Sequence, residues 1–205
     1  LKTVIGLVAP DSGRIFVDGQ DIRKKNTSNF LKRFGMLFQG GALFDSMPVW
    51  QNVAFRLQSG VLKQTNKHAR EIAIEKLRRV GLSPDIADQL PAELSGGMQK
   101  RVGLARAIAA NPEIIFFDEP TTGLDPIMAG IINELIREIV VETGVTAMTI
   151  THDMSSVDAI ADTVAMLHDG IIQWSGPKKN FRKCGDPFVN QFINGRANGP
   201  IETLR

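Results

Sequence analysis

Two neighbouring acidic residues follow an apolar run in the second half of the chain. Asp118 and Glu119 come directly after four apolar residues, 114–117. One carboxylate can hold Mg²⁺, which takes few carboxylates together with water and phosphate oxygens. A second carboxylate can orient a water nucleophile for phosphoryl transfer. An isolated acidic pair could equally cap a surface turn, but the Pro-Thr-Thr-Gly-Leu-Asp of residues 120–125 favours the catalytic interpretation.

A Ser-Gly-Gly sequence lies upstream of this acidic pair. Ser95 precedes Gly96, Gly97 and a stretch with apolar residues at helical spacing, so we predict that it caps a helix. The free backbone N–H groups at a helix N-terminus bind anions, and glycine lets them approach a phosphate closely. The alternative is a simple capped helix that begins with a glycine turn.

Two further polar residues follow predicted strands. Gln39 comes after the apolar segment 34–38, and His152 comes after the segment 145–150. Ligands of open α/β sheets bind beyond the carboxyl ends of the strands. We therefore expect Gln39, His152 and the acidic pair to meet at one edge of a sheet. Taken singly, Gln39 could be an ordinary loop residue and His152 an uninvolved one.

The elements that must position these residues alternate between strand and helix. Buried apolar runs predict mainly parallel strands, and Asp-Gly pairs at 18–19 and 169–170 predict antiparallel hairpins. Asp125 before Pro126 predicts the start of a helix that runs to about residue 142. The fold class is therefore α/β. The pattern adds the end of a helix at 1–8 and helical segments at 49–57, 66–80 and 95–110.

Composition narrows the possible classes of protein. The chain has 205 residues, a net charge of +2 and one cysteine. The single cysteine excludes an internal disulfide framework and a cysteine-only metal site. The small net charge gives no electrostatic footprint for nucleic acid. Since no apolar stretch has the roughly 18 residues of a membrane span, we expect a cytoplasmic protein that docks on a membrane through a partner.

Together these segments closely resemble the ATP-binding-cassette (ABC) ATPase family. The similarity is carried by Leu-Ser-Gly-Gly-Met-Gln-Lys-Arg at 94–101 and by residues 114–126. It implies a P-loop NTPase-like (RecA-like) core with a mainly parallel sheet, antiparallel β hairpins and an inserted helical subdomain. The implied organisation is one domain, 1–205, with an α/β core at 1–48 and 111–175, a helical signature subdomain at about 49–110, and a C-terminal tail at 176–205.

The resemblance assigns roles in binding ATP and Mg²⁺ and in hydrolysis. Asp118 matches the Walker B aspartate, a Mg²⁺ ligand. Gln39 matches the Q-loop glutamine, which reaches both Mg²⁺ and the attacking water. Glu119 matches the catalytic glutamate that polarises this water, and His152 matches the switch histidine that contacts the γ-phosphate.

The remaining matches concern a second subunit. Ser95, Gly96 and Gly97 match the signature motif, which faces nucleotide bound by the other subunit, so the resemblance implies a homodimer. Asp125 matches the D-loop aspartate, which acts across that dimer and can cap a helix as well. Met98 departs from the commoner glutamine of the signature, but it leaves the phosphate-facing backbone unchanged.

The phosphate loop of the family, Gly-x-x-x-x-Gly-Lys-Ser/Thr, does not occur in the 205 residues. By alignment of the motifs, residues 1–7 match the helix after that loop, and Lys2 lies beyond the loop position. We expect that the sequence is truncated before residue 1, that the full-length protein is an ATPase, and that residues 1–205 alone bind ATP poorly and are inactive. A degenerate, non-catalytic subunit that serves only dimerisation or docking is the alternative.

One branch of the family is especially similar. Residues 38–47, 49–55 and 188–201 resemble the ATPase of the Mla/Mce-associated phospholipid transporter of Gram-negative bacteria. This implies a cytoplasmic ATPase, peripheral on the inner membrane through an integral-membrane permease, with a Mce-type lipid-binding subunit and a STAS-domain protein as further partners. Nucleic acid is not an expected partner, and DNA-repair or chromosome-organising ABC ATPases are disfavoured because no long coiled coil interrupts the chain.

Two surface segments have open interpretations. Phe44, Met47 and Trp50 could receive a helix of the permease in a groove, or they could pack in the core. The basic stretch 178–183 could contact anionic lipid headgroups, or it could be a solvated loop.

Overall fold

The computed structural model describes residues 1–21, 31–58 and 62–202. The strands within these ranges are β1 (Phe16–Val17), β2 (Gln20–Asp21), β3 (Phe34–Leu37), β4 (Ile114–Asp118), β5 (Thr146–Ile150), β6 (Thr163–His168) and β7 (Ile171–Pro177). The α-helices are α1 (Val49–Ala54), α2 (Asn66–Arg79), α3 (Gly96–Ile108), α4 (Pro126–Thr143), α5 (Met154–Ile160), α6 (Lys178–Phe181) and α7 (Pro187–Ile193). Short 3₁₀ turns occupy Phe55–Leu57, Pro84–Ile86 and Pro91–Glu93.

Three parallel strands form the central sheet in the order β3-β4-β5. The register pairs Leu37 with Phe117, and Asp118 with Ile150. The interior of β4 is buried, as expected for a parallel strand that is covered on both faces. The carboxyl ends of all three strands therefore lie at one edge of the sheet, and the predicted parallel α/β core is confirmed.

The outer edge of β5 is open. In the described part of the chain β5 pairs only with β4, and β6 pairs only with β7. Most of β5 is exposed, including Met148 at 46% and Ile150 at 39%. A cavity of about 430 Å³ lies between β5 and β6 and reaches Glu119 and His152 at one end.

Both predicted hairpins are present. The turn between β1 and β2 places Asp18 at φ 49° and Gly19 at φ 72°, and the turn between β6 and β7 places Asp169 at φ 48° and Gly170 at φ 72°. Two successive residues at positive φ are typical of the type I′ turns that match the twist of paired strands. The first hairpin is shorter than the predicted strand 14–17, because only two residue pairs form its ladder.

The predicted helix caps define the principal helices. The Ser95 hydroxyl accepts a hydrogen bond from the Met98 N–H at 3.3 Å where α3 begins. Asp125 caps α4, which ends where Gly144 adopts φ 66°. The predicted helix at 49–57 is shorter, because a 3₁₀ turn replaces its last residues. None of the described helices combines the length and apolar character needed to cross a bilayer.

Residues 1–8 form a turn rather than a helix. The Leu7 N–H donates to the Lys2 carbonyl at 2.8 Å and the Gly6 N–H to the Thr3 carbonyl at 3.2 Å, while Gly6 has φ 77°. This is the Schellman arrangement that closes an α-helix. The C-terminal cap of the predicted helix is therefore present, but residues 1–8 contain no regular helix.

Two apolar clusters hold these elements together. The larger one joins the sheet to the helices and includes Leu37, Leu104, Phe117 and Ile136. The smaller one lies under the β6–β7 hairpin and consists of Val157, Met166, Phe181 and Val189 with partly buried neighbours. The stretch after residue 175, expected as a C-terminal tail, contains α6 and α7, and both contribute to the smaller cluster.

Candidate active site

A hydrogen bond joins the strand-end residues Glu119 and His152. Nδ1 of His152 lies 2.9 Å from Oε1 of Glu119. The Glu119 N–H donates to the Ile150 carbonyl at 2.9 Å, which extends the pairing of β4 and β5 by one residue. The second carboxylate oxygen, Oε2, accepts from the Thr122 hydroxyl at 2.8 Å. Both oxygens of this carboxylate are thus fixed by neighbours from its own edge of the sheet.

The Glu119–His152 contact changes how the imidazole titrates. The hydrogen bond to Glu119, reinforced by the carboxylate charge and by Asp153, raises the pKa of His152 above its ordinary value of 6.5. The His152 side chain is 70% exposed, whereas that of Glu119 is only 18% exposed. The site therefore presents an accessible imidazole with an increased tendency to carry a positive charge, and it is anchored to a shielded carboxylate.

The backbone of Glu119 adopts an unusual conformation. Its φ is 49°, in the left-handed region that residues with side chains rarely occupy. Such strained residues persist where the surroundings hold them, and they cluster at functional sites. The Glu119 carbonyl accepts hydrogen bonds from the Thr122 N–H and from Nζ of Lys100, each at 3.3 Å.

Asp118 and Gln39 lie at the same edge. Asp118 is the last residue of β4, and Gln39 stands two residues beyond the end of the adjacent β3. Leu37 and Phe117 form the last pair of the β3–β4 ladder, so both chains leave the sheet at the same edge. Gln39 is exposed, and none of the hydrogen bonds found in the described ranges joins it to either acidic residue.

These residues suit a Mg²⁺ ion that arrives with a nucleotide. No group of three or more His, Cys, Asp or Glu side chains within the described ranges could hold a metal ion by itself. Mg²⁺ is commonly bound through one or two carboxylates, with substrate phosphates and water completing its shell. The Asp118 carboxylate and the Gln39 amide oxygen could supply such a partial set.

The loop after Gln39 is anchored to helix α3. Gly40, Gly41 and Ala42 all have positive φ, between 46° and 80°. The guanidinium of Arg106 donates to the Gly41 carbonyl at 2.6 Å and to the Ala42 carbonyl at 2.8 Å. This conformation, which glycine adopts without strain, therefore turns the chain sharply after Gln39 and ties it to the helix.

The Ser-Gly-Gly sequence lies at the start of α3. Ser95 and Gly96 are exposed, while Gly97 is buried against the Met128 side chain. Oδ1 of Asp125 accepts from the Ile127 and Met128 N–H groups, each at 3.0 Å. The starts of α3 and α4 thus lie together.

One hydrogen bond of the described chain joins two of the predicted site residues. Glu119 and His152 are in contact, and Asp118 and Gln39 share their edge of the sheet. Among the hydrogen bonds of the described chain, none links Ser95, Gly96, Gly97 or Asp125 to that group.

Two features that hold the site in place are not predicted from the sequence. Lys100 is one of them. A partly buried network of Thr121, Asp153 and Ser156 is the other, with the two hydroxyls 3.1 Å apart and the Ser156 hydroxyl 3.0 Å from Asp153. Helical spacing from Gly97 could have indicated that Lys100 faces inward, but nothing in the sequence identifies its carbonyl partner.

The sequences of known proteins decide the family. The profile of a family described as "ABC transporter" matches residues 1–122, a segment that includes Gln39, the Ser-Gly-Gly sequence and the acidic pair. The chain belongs to the ABC transporter family. The predicted family, and the fold class that it implies, are confirmed.

The similarity to known proteins covers nearly the whole chain. This chain is 42% identical over 205 residues to the "Intermembrane phospholipid transport system ATP-binding protein MlaF" of Escherichia coli K12, and the match covers 98% of this chain and 75% of that protein. It is 40% identical over 204 residues to the "Probable ribonucleotide transport ATP-binding protein mkl" of Mycobacterium leprae, covering 98% of this chain. The cassette spans only 58% of the length of this mycobacterial relative.

A solved structure has the same fold. An ATP-binding cassette determined as a dimer in a post-hydrolysis state with ADP and Pi superposes with a TM-score of 0.76 at 27% sequence identity. The superposition covers 86% of this chain and 78% of that one.

The structure describes both surface segments whose interpretation the sequence leaves open. Trp50 packs against the larger core cluster, whereas Phe44 is 39% exposed and its ring lies 4.5 Å from that of Phe55. Residues Lys178–Phe181 of the basic stretch form α6 rather than a loop. Its Lys178 donates to the Asp158 carbonyl at 2.7 Å, and Arg182 pairs with the Asp158 carboxylate.

Proposed function

We propose that this ABC cassette is the ATP-binding and ATP-hydrolysing subunit of a transporter. The observation that carries the proposal is the Glu119 carboxylate, which is fixed at the carboxyl edge of the sheet between Thr122 and His152 and directly follows Asp118. Phosphoryl transfer needs a positioned water and neutralised phosphate charge more than it needs covalent help. A shielded, oriented carboxylate beside an imidazole meets the first requirement.

Each residue then has a distinct task. Glu119 orients and polarises the attacking water, and His152 contacts the γ-phosphate as a hydrogen-bond donor. Asp118 and Gln39 hold the Mg²⁺ ion, which neutralises charge on the phosphates when it is bound. Because the pKa of His152 is raised by its carboxylate partner, the imidazole has an increased tendency to be cationic beside the phosphate.

A second copy of the subunit completes the nucleotide site. Ser95 and Gly96 are exposed at the start of α3, where free N–H groups suit a phosphate bound by a partner. Asp125 lies on the same surface and acts across the homodimer. The dimeric cassette with a similar fold supports this arrangement.

The nucleotide site of this proposal needs a phosphate loop, and residues 1–205 contain no sequence with the family's pattern. The chain covers 75% of Escherichia coli MlaF. Among the described residues β5 pairs only with β4, so its other edge could pair with a further strand. Residues 1–205 alone should then bind ATP poorly and hydrolyse none.

The proposed cargo is phospholipid in the Gram-negative envelope. The similarity to MlaF supports it, although the mycobacterial relative carries a ribonucleotide name. The subunit would sit on the cytoplasmic face of the inner membrane through an integral-membrane permease, with a Mce-type lipid-binding subunit and a STAS-domain protein in the assembly. The exposed Phe44–Phe55 pair near Gln39 is a suitable contact for the permease.

Glu119→Gln in the full-length protein tests the enzymatic proposal. Steady-state ATP turnover should fall by about 100- to 10,000-fold, the usual contribution of a general base, and MgATP should trap a dimer that size-exclusion chromatography detects. Glu134→Gln, which makes the same chemical change at an exposed position of α4, should retain turnover and form no trapped dimer. A wild-type protein without ATP turnover would support the non-catalytic alternative instead.

The cargo is tested in proteoliposomes that contain the full-length subunit and its co-purified membrane partners. ATP-dependent transfer of a fluorescent phospholipid, lost with Glu119→Gln, is the expected result. ATP-dependent uptake of a labelled ribonucleotide without lipid transfer would show that the cargo is a ribonucleotide and not phospholipid.

A further inference from the structure

Lys100 is an unusual residue in the signature helix. It lies three residues after Gly97 on α3, and it is only 4% exposed. Lysine is almost never this buried unless its ammonium group has partners, because burial of an unpaired charge is costly. A polar or charged group near Lys100 must therefore compensate for the charge of its ammonium group.

The hydrogen-bond partner of Lys100 is the backbone of the proposed catalytic residue. Its Nζ donates to the Glu119 carbonyl at 3.3 Å, the same oxygen that accepts from the Thr122 N–H. This carbonyl belongs to the residue with φ 49°. The two hydrogen bonds converge on the point where the backbone leaves its preferred conformation.

The charges near Lys100 fit this placement. Burial, the largest effect, lowers its pKa, while the nearby carboxylates of Glu119 and Asp118 oppose that shift. The ammonium group therefore lies close enough to both carboxylates to interact with their charge, and it contacts the Glu119 carbonyl. A neutral side chain of similar length would fill the space without providing either interaction.

We propose that Lys100 is a positioning residue that holds Glu119 in its left-handed conformation and so directs the carboxylate towards His152 and the attacking water. This role rests on the proposed ATPase function. It connects two parts of one subunit, because Lys100 lies one helical turn from Gly97. A shift of α3 caused by nucleotide on the partner subunit would therefore reach Glu119 through this side chain.

Lys100→Met in the full-length protein is the principal test, because methionine keeps an unbranched side chain and removes the charge. Single-turnover ATP hydrolysis should fall by about 100-fold, the loss that a misplacement of about 1 Å can cause, while ATP affinity stays unchanged. Arg101→Met is the matched control on the same helix. Its guanidinium contacts the Gly81 carbonyl instead, so its hydrolysis rate should stay close to wild type.

A double-mutant comparison separates positioning from general damage. If Lys100 acts through Glu119, Lys100→Met should have no further effect on the residual rate of Glu119→Gln. A similar fold-loss in both backgrounds, or wild-type hydrolysis by Lys100→Met, would overturn the proposal. Should Lys100→Met fail to fold, Lys100→Leu, which also removes both the donor and the charge, replaces it in the same comparison.

A readout independent of activity distinguishes this inference from the proposed function. Amide hydrogen exchange should show loss of protection at the Thr122 N–H in Lys100→Met but not in Arg101→Met, because that amide shares the Glu119 carbonyl. Retained protection at Thr122 would refute the positioning role even in a protein that hydrolyses no ATP. Absence of hydrolysis by the wild-type protein would refute the ATPase function alone.

Discussion

At the scale of single residues, one short contact organises the candidate site. The 2.9 Å hydrogen bond between His152 and Glu119 connects two loops that are 33 residues apart in sequence. The imidazole is exposed, so the surrounding water weakens the pair electrostatically. This hydrogen bond therefore orients both groups at the edge of the sheet and contributes little to the stability of the fold.

This contact predicts how His152 titrates. NMR titration of the full-length protein without nucleotide should give a pKa for His152 above 6.5, because the Glu119 hydrogen bond favours the charged ring. Glu119→Gln should lower it towards 6.5, and Glu134→Gln should leave it unchanged. An equal pKa in wild type and Glu119→Gln would show that the hydrogen bond does not form in solution.

The same shift fixes the direction of the pH dependence of stability. Since the pKa is raised in the folded state, the contribution of His152 is fully present below pH 6.5 and is lost as pH rises through its folded pKa.

The strand-end residues could be predicted because their positions depend on topology alone. Once β4 and β5 are recognised as parallel neighbours, Glu119 and His152 must lie at one edge. The role of Lys100 could not be predicted in this way. Its partner is a carbonyl whose direction depends on the left-handed φ of Glu119, and no side-chain pattern in the sequence reports that angle.

At the scale of elements, the loop that carries Gln39 is placed by close approach of β3 and α3. Gly35 on β3 faces the Ala107 carbonyl, and a Cβ at that position would overlap this oxygen. Gly103 on the same helix similarly admits the Leu37 side chain. Small residues on both elements thus bring the strand end and the signature helix together.

The close approach predicts opposite results for two Gly→Ala substitutions. Gly35→Ala should lower the free energy of unfolding by about 1–3 kcal/mol, because the methyl group overpacks against backbone. Gly130→Ala, on α4 with no neighbour within 4 Å of the new Cβ, should raise it by about 0.5–1 kcal/mol. Urea denaturation measures both, and equal stability of the two variants would contradict the packing of β3 on α3.

Elements with explicit local signals were predictable, and those limited by tertiary contacts were not. Ser95 and Asp125 identified the starts of α3 and α4, because a capping side chain satisfies backbone N–H groups locally. The predicted helix at 49–57 continues as a 3₁₀ turn after Ala54, and no local signal in the sequence marks this change. Asn52 is fully buried, and its side-chain amide bonds the backbone of Phe44 and Met47. This tertiary anchoring has no helical signature in the sequence.

At the scale of the whole molecule, the sheet and helices share one apolar core, whereas the C-terminal hairpin and helices have a smaller core. The helix α5 lies between them, since Ile160 packs against the larger cluster and Val157 belongs to the smaller one. In a chain with unequal cores, the smaller unit is expected to open at lower free energy.

The two tryptophans can follow these cores separately, because Trp50 packs against the larger cluster and Trp174 against the smaller one. In residues 1–205, Val189→Ala should destabilise the smaller core by about 2 kcal/mol through lost burial and a residual cavity. Urea unfolding of single-tryptophan variants should then show a lower midpoint for Trp174 and a nearly unchanged one for Trp50. Equal shifts at both tryptophans would mean that α5 couples the cores into one cooperative unit, in which case the hairpin could not open independently of the site at His152.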